Sequence, residues 1–277
     1  MRVHHLDCGS LRVIAPVGED LPPARAVCHC LLIETDADGL VLVDSGFGGE
    51  DTVSPGERLG ADFLTFAEPV LDPAQPAVRQ VARLGFDPAD VRHIVLTHLH
   101  RDHTGGLPDF PYATVHLHEE EYRAVTDPAA EHHRASVERF MPAHRAHGPR
   151  LTPARSHPGD SWPGIENVAR LEGLAADILL VPLFGHTPGH SGVAVRSGDR
   201  WLLNAGDAYF YHRELEADPP VSHPELDLIQ QNAQVDPEAR LDGLHRLRAL
   251  HREHGDEVDI FCAHDPWEFQ RYDSARR

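Results

Sequence analysis

The chain has 277 residues, 41% of them apolar, which is enough for a sizeable core and excludes a disordered or fibrous protein. Its formal charge is −19, from 44 acidic against 25 basic residues, and every basic residue is Arg. That balance argues against nucleic acid as a partner, and the absence of Lys removes Schiff-base chemistry and a lysine-dependent phosphate loop. The longest apolar stretch, Ala176 to Phe184, is interrupted by Asp177 and Pro182 and falls far short of a membrane span. The N-terminus shows no secretory leader, so a cytoplasmic location with no membrane partner is expected. Cys8, Cys28, Cys30 and Cys262 are too scattered for a disulfide scaffold and read as reduced thiols.

In chain order, Cys28 to Ser45 reads as two β-rich runs joined by Asp36-Ala37-Asp38-Gly39, a hairpin signal. Cys28-His29-Cys30 has no second ligand pair downstream and reads as core strand, not a metal clamp. Residues 47 to 75 predict a long functional loop or short helical segments. Ala77 to Leu84 predicts a helix closed by Gly85, and Val91 to Thr97 a buried strand that delivers its end to His98. Tyr112 to His118 reads as a strand and Glu119 to Val125 as the start of a helix. Residues 126 to 165 lack a period and read as an insertion or flap. His132, His133, His144 and His147 within it, like His116 and His118 before it, are expected to be solvated or to line a pocket. Strands follow at Asp177 to Phe184, Gly192 to Arg196 and Trp201 to Ala205. Pro237 to His254 is an amphipathic helix with Leu241, Leu244, Leu247 and Leu250 on its apolar face, and Val258 to Cys262 is a last strand. Strands and helices in this order predict one α/β domain over 1–277, with two sheets covered by helices.

The chemistry concentrates in His98-Leu99-His100-Arg101-Asp102-His103, followed by Thr104-Gly105-Gly106. Alternate residues leaving a strand point the same way, and three imidazoles with a carboxylate in six residues suit a borderline cation such as zinc. The segment THLHRDHTGG resembles the HxHxDH signature of the metallo-β-lactamase superfamily. That resemblance implies a four-layer αββα sandwich and three further ligands: His186 in FGHTPGHS, Asp207 after the strand WLLNAG, and His264 in FCAHD. His190, four residues after His186, is expected to orient or pack. The family pattern implies a dinuclear centre with two zinc ions per chain, or iron, manganese or cobalt in their place. His98, His100 and His186 would hold one ion, Asp102, His103 and His264 the other, and Asp207 would bridge them. Asp44, in Val43-Asp44-Ser45-Gly46, would hydrogen-bond a metal-bound His.

The same resemblance implies hydrolysis by a metal-bridging hydroxide attacking a carbonyl or phosphoryl centre. No GxSxG elbow supports a serine hydrolase instead. Two features lean toward the N-acyl homoserine lactone lactonases that quench bacterial quorum sensing. His98 lies 54 positions after Asp44, leaving room for a pocket-building loop and helix, and Asp207-Ala208-Tyr209 sets a tyrosine just after the bridging Asp. A small lactone or ester is then the expected substrate, with Asp102 near the leaving oxygen and Tyr209, in competition with Tyr211, donating to the substrate. A glyoxalase II-like thioesterase would need a basic pocket for its anionic substrate, which the overall charge disfavours. A mononuclear iron enzyme resembling the persulfide dioxygenases would use fewer ligands. The oligomeric state is open, with a homodimer as one option.

Overall fold

The computed structural model describes residues 1–273. Six strands form the first sheet in spatial order Arg2–Asp7, His29–Glu34, Leu40–Val43, Val91–Val95, Thr114–His118 and Arg150–Ala154. The first three are antiparallel neighbours, and Leu40–Val43 onward is parallel. The second sheet runs Ala169–Arg170, Ile178–Pro182, Ser191–Ser197, Arg200–Asn204 and Val258–Phe261, with only its last pair parallel.

The sheets pack face to face. Leu31, Ile33, Val41, Val43 and Val95 of the first meet Leu180, Val193, Val195, Leu202 and Phe261 of the second in a shared apolar core. The alternate residues Cys30, Leu32 and Leu42 point outward under the helix Ala77–Arg83, where Ala77 and Val81 cover them. Strands buried on both faces read as continuous apolar runs, which is why Cys28 to Glu34 shows no alternation. The helix Pro237–His254 covers the second sheet with Leu244, Leu247 and Leu250 against Leu179, Val181 and Leu203. Leu241, expected on that face, is 42% exposed instead; at this turn Gly243 is the residue that packs against Leu183. The result is the αββα sandwich.

Residues 47 to 75 hold three short helices, Gly49–Val53, Pro55–Arg58 and Ala61–Ala67. Residues 126 to 165 contribute more than an appended flap. They carry the helices His133–Arg139 and Pro142–Arg145 and then the strand Arg150–Ala154, which closes the edge of the first sheet. Among the elements that carry no visible pattern in the sequence are the strand Arg2–Asp7 and the helices Pro224–Ala233 and Pro266–Asp273. In Pro224–Ala233 only Leu226 and Gln230 are buried, too little apolar repetition to register as a period. The four cysteines are buried free thiols. Among the described residues no helix is long and apolar enough to cross a membrane.

Candidate metal centre

Parallel pairing gathers the chemistry at one edge of the sandwich. Leu40–Val43 and Val91–Val95 run in the same direction, so Asp44 and His98 emerge together; Arg200–Asn204 and Val258–Phe261 do the same for Asp207 and His264. Asp44 turns the chain with a left-handed φ of 53°, a conformation Asp tolerates better than most residues. Its carboxylate accepts from the Thr97 backbone N–H at 2.8 Å and the Thr97 hydroxyl at 2.9 Å, and from His103 Nδ1 at 2.9 Å. Gly206 makes the corresponding turn before Asp207 at φ 54°, where a Cβ would come within 2.6 Å of His190 Nε2.

Two groups of donor atoms result. His98, His100, His186 and Asp207 bring one atom each within 4.8 Å of one another, and Asp102, His103 and His264 form a second such group. Asp207 lies between the two. One carboxylate oxygen is 3.1 Å from His186 Nε2 and 3.7 Å from His98 Nε2, while the other is 3.2 Å from His264 Nε2 and 3.4 Å from His103 Nε2. Asp102 stands 3.6 Å from His264 Nε2.

For three of these histidines the other ring nitrogen is committed elsewhere. His103 Nδ1 donates to Asp44, His186 Nδ1 to Gln230 Oε1 at 2.7 Å, and His264 Nδ1 to the Val27 carbonyl at 2.7 Å. A proton fixed on Nδ1 leaves the Nε2 lone pair facing the centre, as a metal ligand requires. His190 donates from Nδ1 to the Leu183 carbonyl and accepts the Asp207 backbone N–H at Nε2, 2.9 Å away, so it orients Asp207 from behind.

The residues fit a pair of divalent cations. His98 Nε2, His103 Nε2 and Asp207 Oδ1 are buried with no hydrogen-bond partner, and all three converge on the same space. Leaving such atoms unsatisfied costs about 1–3 kcal/mol each, so three at one spot call for an electrophile. Burial holds His98 and His100 well below the ordinary imidazole range, as neutral lone-pair donors. Burial alone would raise Asp207, but His264, His103, His186 and His98 outweigh it and hold the carboxyl well below its usual range, as an anion.

Several residues sit elsewhere than the sequence suggested. Tyr209 does not reach the centre. Its ring is buried in the core of the second sheet and its hydroxyl donates to Glu268 Oε1 at 2.9 Å. Tyr211 donates to Glu19 Oε2 at 2.7 Å and accepts the Val17 N–H. Consecutive residues of one turn face different ways, and Phe210 is the one that faces inward, with its ring 5.4 Å from His264 and 6.0 Å from His186. His116 is neither solvated nor in a pocket but buried and paired with His93 at 2.9 Å; His118, also buried, accepts the Glu120 N–H at the start of the next helix. His144 is fully buried between the Thr104 hydroxyl and Asp51. His132 and His133 are half-buried and His147 exposed.

Glu121 is a residue that the pattern of ligands did not reveal. Buried beneath the centre, it accepts the Leu99 N–H at 3.0 Å on one side, and the Thr187 hydroxyl at 2.7 Å and the Gly189 N–H at 3.0 Å on the other. It thereby ties the loop of His98 and His100 to the loop of His186. Gly189 allows the approach, since a Cβ there would fall 2.0 Å from the Glu121 backbone nitrogen.

A cavity of about 730 Å³ opens onto His100, Asp102, His186, Asp207 and His264. Its walls are largely apolar, with Phe63, Phe66, Phe210, Leu226 and Ile229 among them. The sequence profile described as "Metallo-beta-lactamase superfamily" matches residues 24–250. The chain belongs to the metallo-β-lactamase superfamily. Among its superfamily relatives, a probable metallo-hydrolase of Mycobacterium tuberculosis is 38% identical over 96% of this chain and 81% of its own length. The N-acyl homoserine lactonase AttM of Agrobacterium fabrum is 29% identical over 84% of this chain and 80% of its own. In fold, the chain is similar to AiiA of Bacillus thuringiensis, solved with N-decanoyl-L-homoserine at its active site: TM-score 0.64, 22% identity, covering 97% of this chain and 95% of that one. It is also similar to AidC, a dizinc quorum-quenching lactonase, at TM-score 0.58 and 17% identity over 89% of this chain and 75% of that one. As a member of the superfamily the protein is a metallo-hydrolase.

Proposed function

We propose that the protein hydrolyses a neutral lactone or related ester, of the N-acyl homoserine lactone kind, with His98, His100 and His186 holding one zinc ion, Asp102, His103 and His264 a second, and Asp207 shared between them. The observation that carries this reading is the position of Asp207, one oxygen toward each group of imidazoles at the floor of an apolar cavity. Bound there, two divalent ions would supply Lewis acidity and a nucleophile available at neutral pH. The chain does the rest. Phe210, Leu226 and Ile229 exclude water and receive the apolar part of the substrate, and Asp102, at the same floor, is placed to take a proton from the attacking water and pass it to the departing oxygen. Two of the cavity's arginines already have acidic neighbours. Arg12 lies 3.6 Å from Glu68 and 3.8 Å from Glu225, and Arg101 lies 3.4 Å from Asp62 and bonds the Leu59 carbonyl. A mouth so balanced favours a neutral substrate over the anionic thioester of a glyoxalase II-like enzyme.

The test is pH-indicator hydrolysis by zinc-loaded protein against homoserine lactones, simple γ- and δ-lactones, aryl esters and S-lactoylglutathione, with bound metal measured on the same sample. Lactone turnover with two metals per chain is the expected result. Turnover of S-lactoylglutathione alone, or a single iron per chain without hydrolysis, would overturn the reading.

A further inference from the structure

The displacement of Tyr209 and Tyr211 from the cavity leaves the reaction without the hydroxyl donor that the sequence suggested, and Phe210 brings no polar atom in its place. Apart from the metal-ligand set, the hydrogen-bond donors lining the cavity are Arg12, Arg101, Arg139 and Asn232. Arg12 and Arg101 face carboxylates, and the Asn232 amide donates to the Leu228 carbonyl. Arg139 differs from all three. It ends the helix His133–Arg139, and its Nη1 lies 3.3 Å from Nε2 of His100 while also bonding the Ala233 carbonyl; Nη2 bonds the Asn232 carbonyl at 3.2 Å. The adjacent acid, Glu138, is taken by Arg134 at 2.9 Å, and no carboxylate pairs with Arg139 among the described residues. A guanidinium carries five N–H donors; the Ala233 and Asn232 carbonyls take two of them, and His100, as a metal ligand, has no lone pair to offer at Nε2, so three donors remain. A half-buried cation in an apolar wall with no counter-charge is costly unless an anion is to arrive beside it.

We propose that Arg139 is a catalytic residue that meets the negative charge developing on the acyl group during hydrolysis and then holds the product carboxylate. This rests on the reading that a carboxylic ester or lactone is cleaved. Hydrolysis adds the oxygen of water to the carbonyl carbon, breaks its bond to the alkoxy oxygen, sends one proton to that oxygen and releases the other. A carboxylate is left where a neutral ester stood. A permanent cation in the cavity wall, beside His100, matches the charge of the product, whereas the arginines that already face carboxylates match the neutrality of the substrate.

The experiment compares wild type with Arg139→Gln and Arg139→Lys, all zinc-loaded and with metal content measured. Calorimetric binding of N-hexanoylglycine and of its neutral carboxamide is set beside kcat and KM on lactone and aryl ester. Arg139→Gln is expected to retain two metals, lose about 10²-fold in kcat, and bind the carboxylate about tenfold more weakly with carboxamide binding unchanged; Arg139→Lys should recover part of both losses. Equal weakening toward carboxylate and carboxamide would overturn the proposal, since it would make Arg139 only a brace for the helix Pro224–Ala233. So would a kcat within twofold of wild type. If wild type turns over no ester at all, the functional reading fails, yet the difference between carboxylate and carboxamide still decides whether Arg139 is an anion site.

Discussion

At the scale of the residue, burial pushes both Asp207 and Glu268 toward the neutral form, and their neighbours decide the outcome in opposite senses. Asp207 is buried among imidazoles and stays an anion; Glu268 is buried beside Asp265, and that environment pushes its pKa up to about 8. Glu268 accepts from the Tyr209 hydroxyl and from the Cys262 N–H, so it fixes the turn that precedes His264 without touching the cavity. The folded state keeps a proton on Glu268 that the unfolded chain would release near the ordinary carboxyl value. Its contribution to stability is therefore full at acid pH and is lost as the pH rises through about 8, at no more than about 1.4 kcal/mol per pH unit. Glu268→Gln, which mimics the neutral form, should melt increasingly above wild type as the pH is raised from about 5 to about 9. Parallel melting curves across that range would show that Glu268 ionises normally. The same scale explains why Tyr209 misled. Spacing places a residue in the right turn, but which of three neighbours in that turn faces inward depends on what packs behind it, here Glu268 and Glu19.

At the scale of the element, ligand-bearing loops are held by elements that contribute no ligand. Glu121, in the first turn of the helix Glu119–Thr126, bonds two of them at once. Glu121→Gln cannot satisfy both sides, because in either orientation its NH2 would face a backbone N–H, that of Leu99 or that of Gly189. We expect the fold to persist and the affinity for zinc, measured by chelator competition, to fall about 10- to 100-fold; unchanged affinity would count against the role. The HxHxDH segment was legible because its spacing on a strand end is itself the geometry. Glu121 was not, since an acid in a run of three glutamates reads as the solvated start of a helix until the loop of Gly189 is seen pressed against it. The segment 126–165 read as an addition for a related reason: its strand Arg150–Ala154 lies at a sheet edge and is only half-buried, so it carries little apolar signal.

At the scale of the whole molecule, the centre is divided between the sheets. Asp44, His98, His100, Asp102 and His103 leave the first, and His186, Asp207 and His264 leave the second, so ions bound between them would clamp the sandwich at one edge. Ligands that bind only the folded state stabilise it by mass action. Exhaustive chelation should therefore lower Tm by about 5 °C or more, with recovery on adding zinc back. An unchanged Tm would mean that the two sheets hold the site open without help.

By itself the sequence determined the superfamily pattern, the principal strands, the long helix of the second sheet and the candidate ligand set, because each is written in local spacing or in a short run of neighbouring residues. Only the tertiary structure decided that Phe210 rather than Tyr209 faces the cavity, that Glu121 and Gln230 orient the ligands, and that Arg139 arrives from the segment 126–165 without a counter-charge. These depend on contacts between residues about 20 to 190 positions apart, and no periodicity along the chain records which distant group will lie against a given side chain.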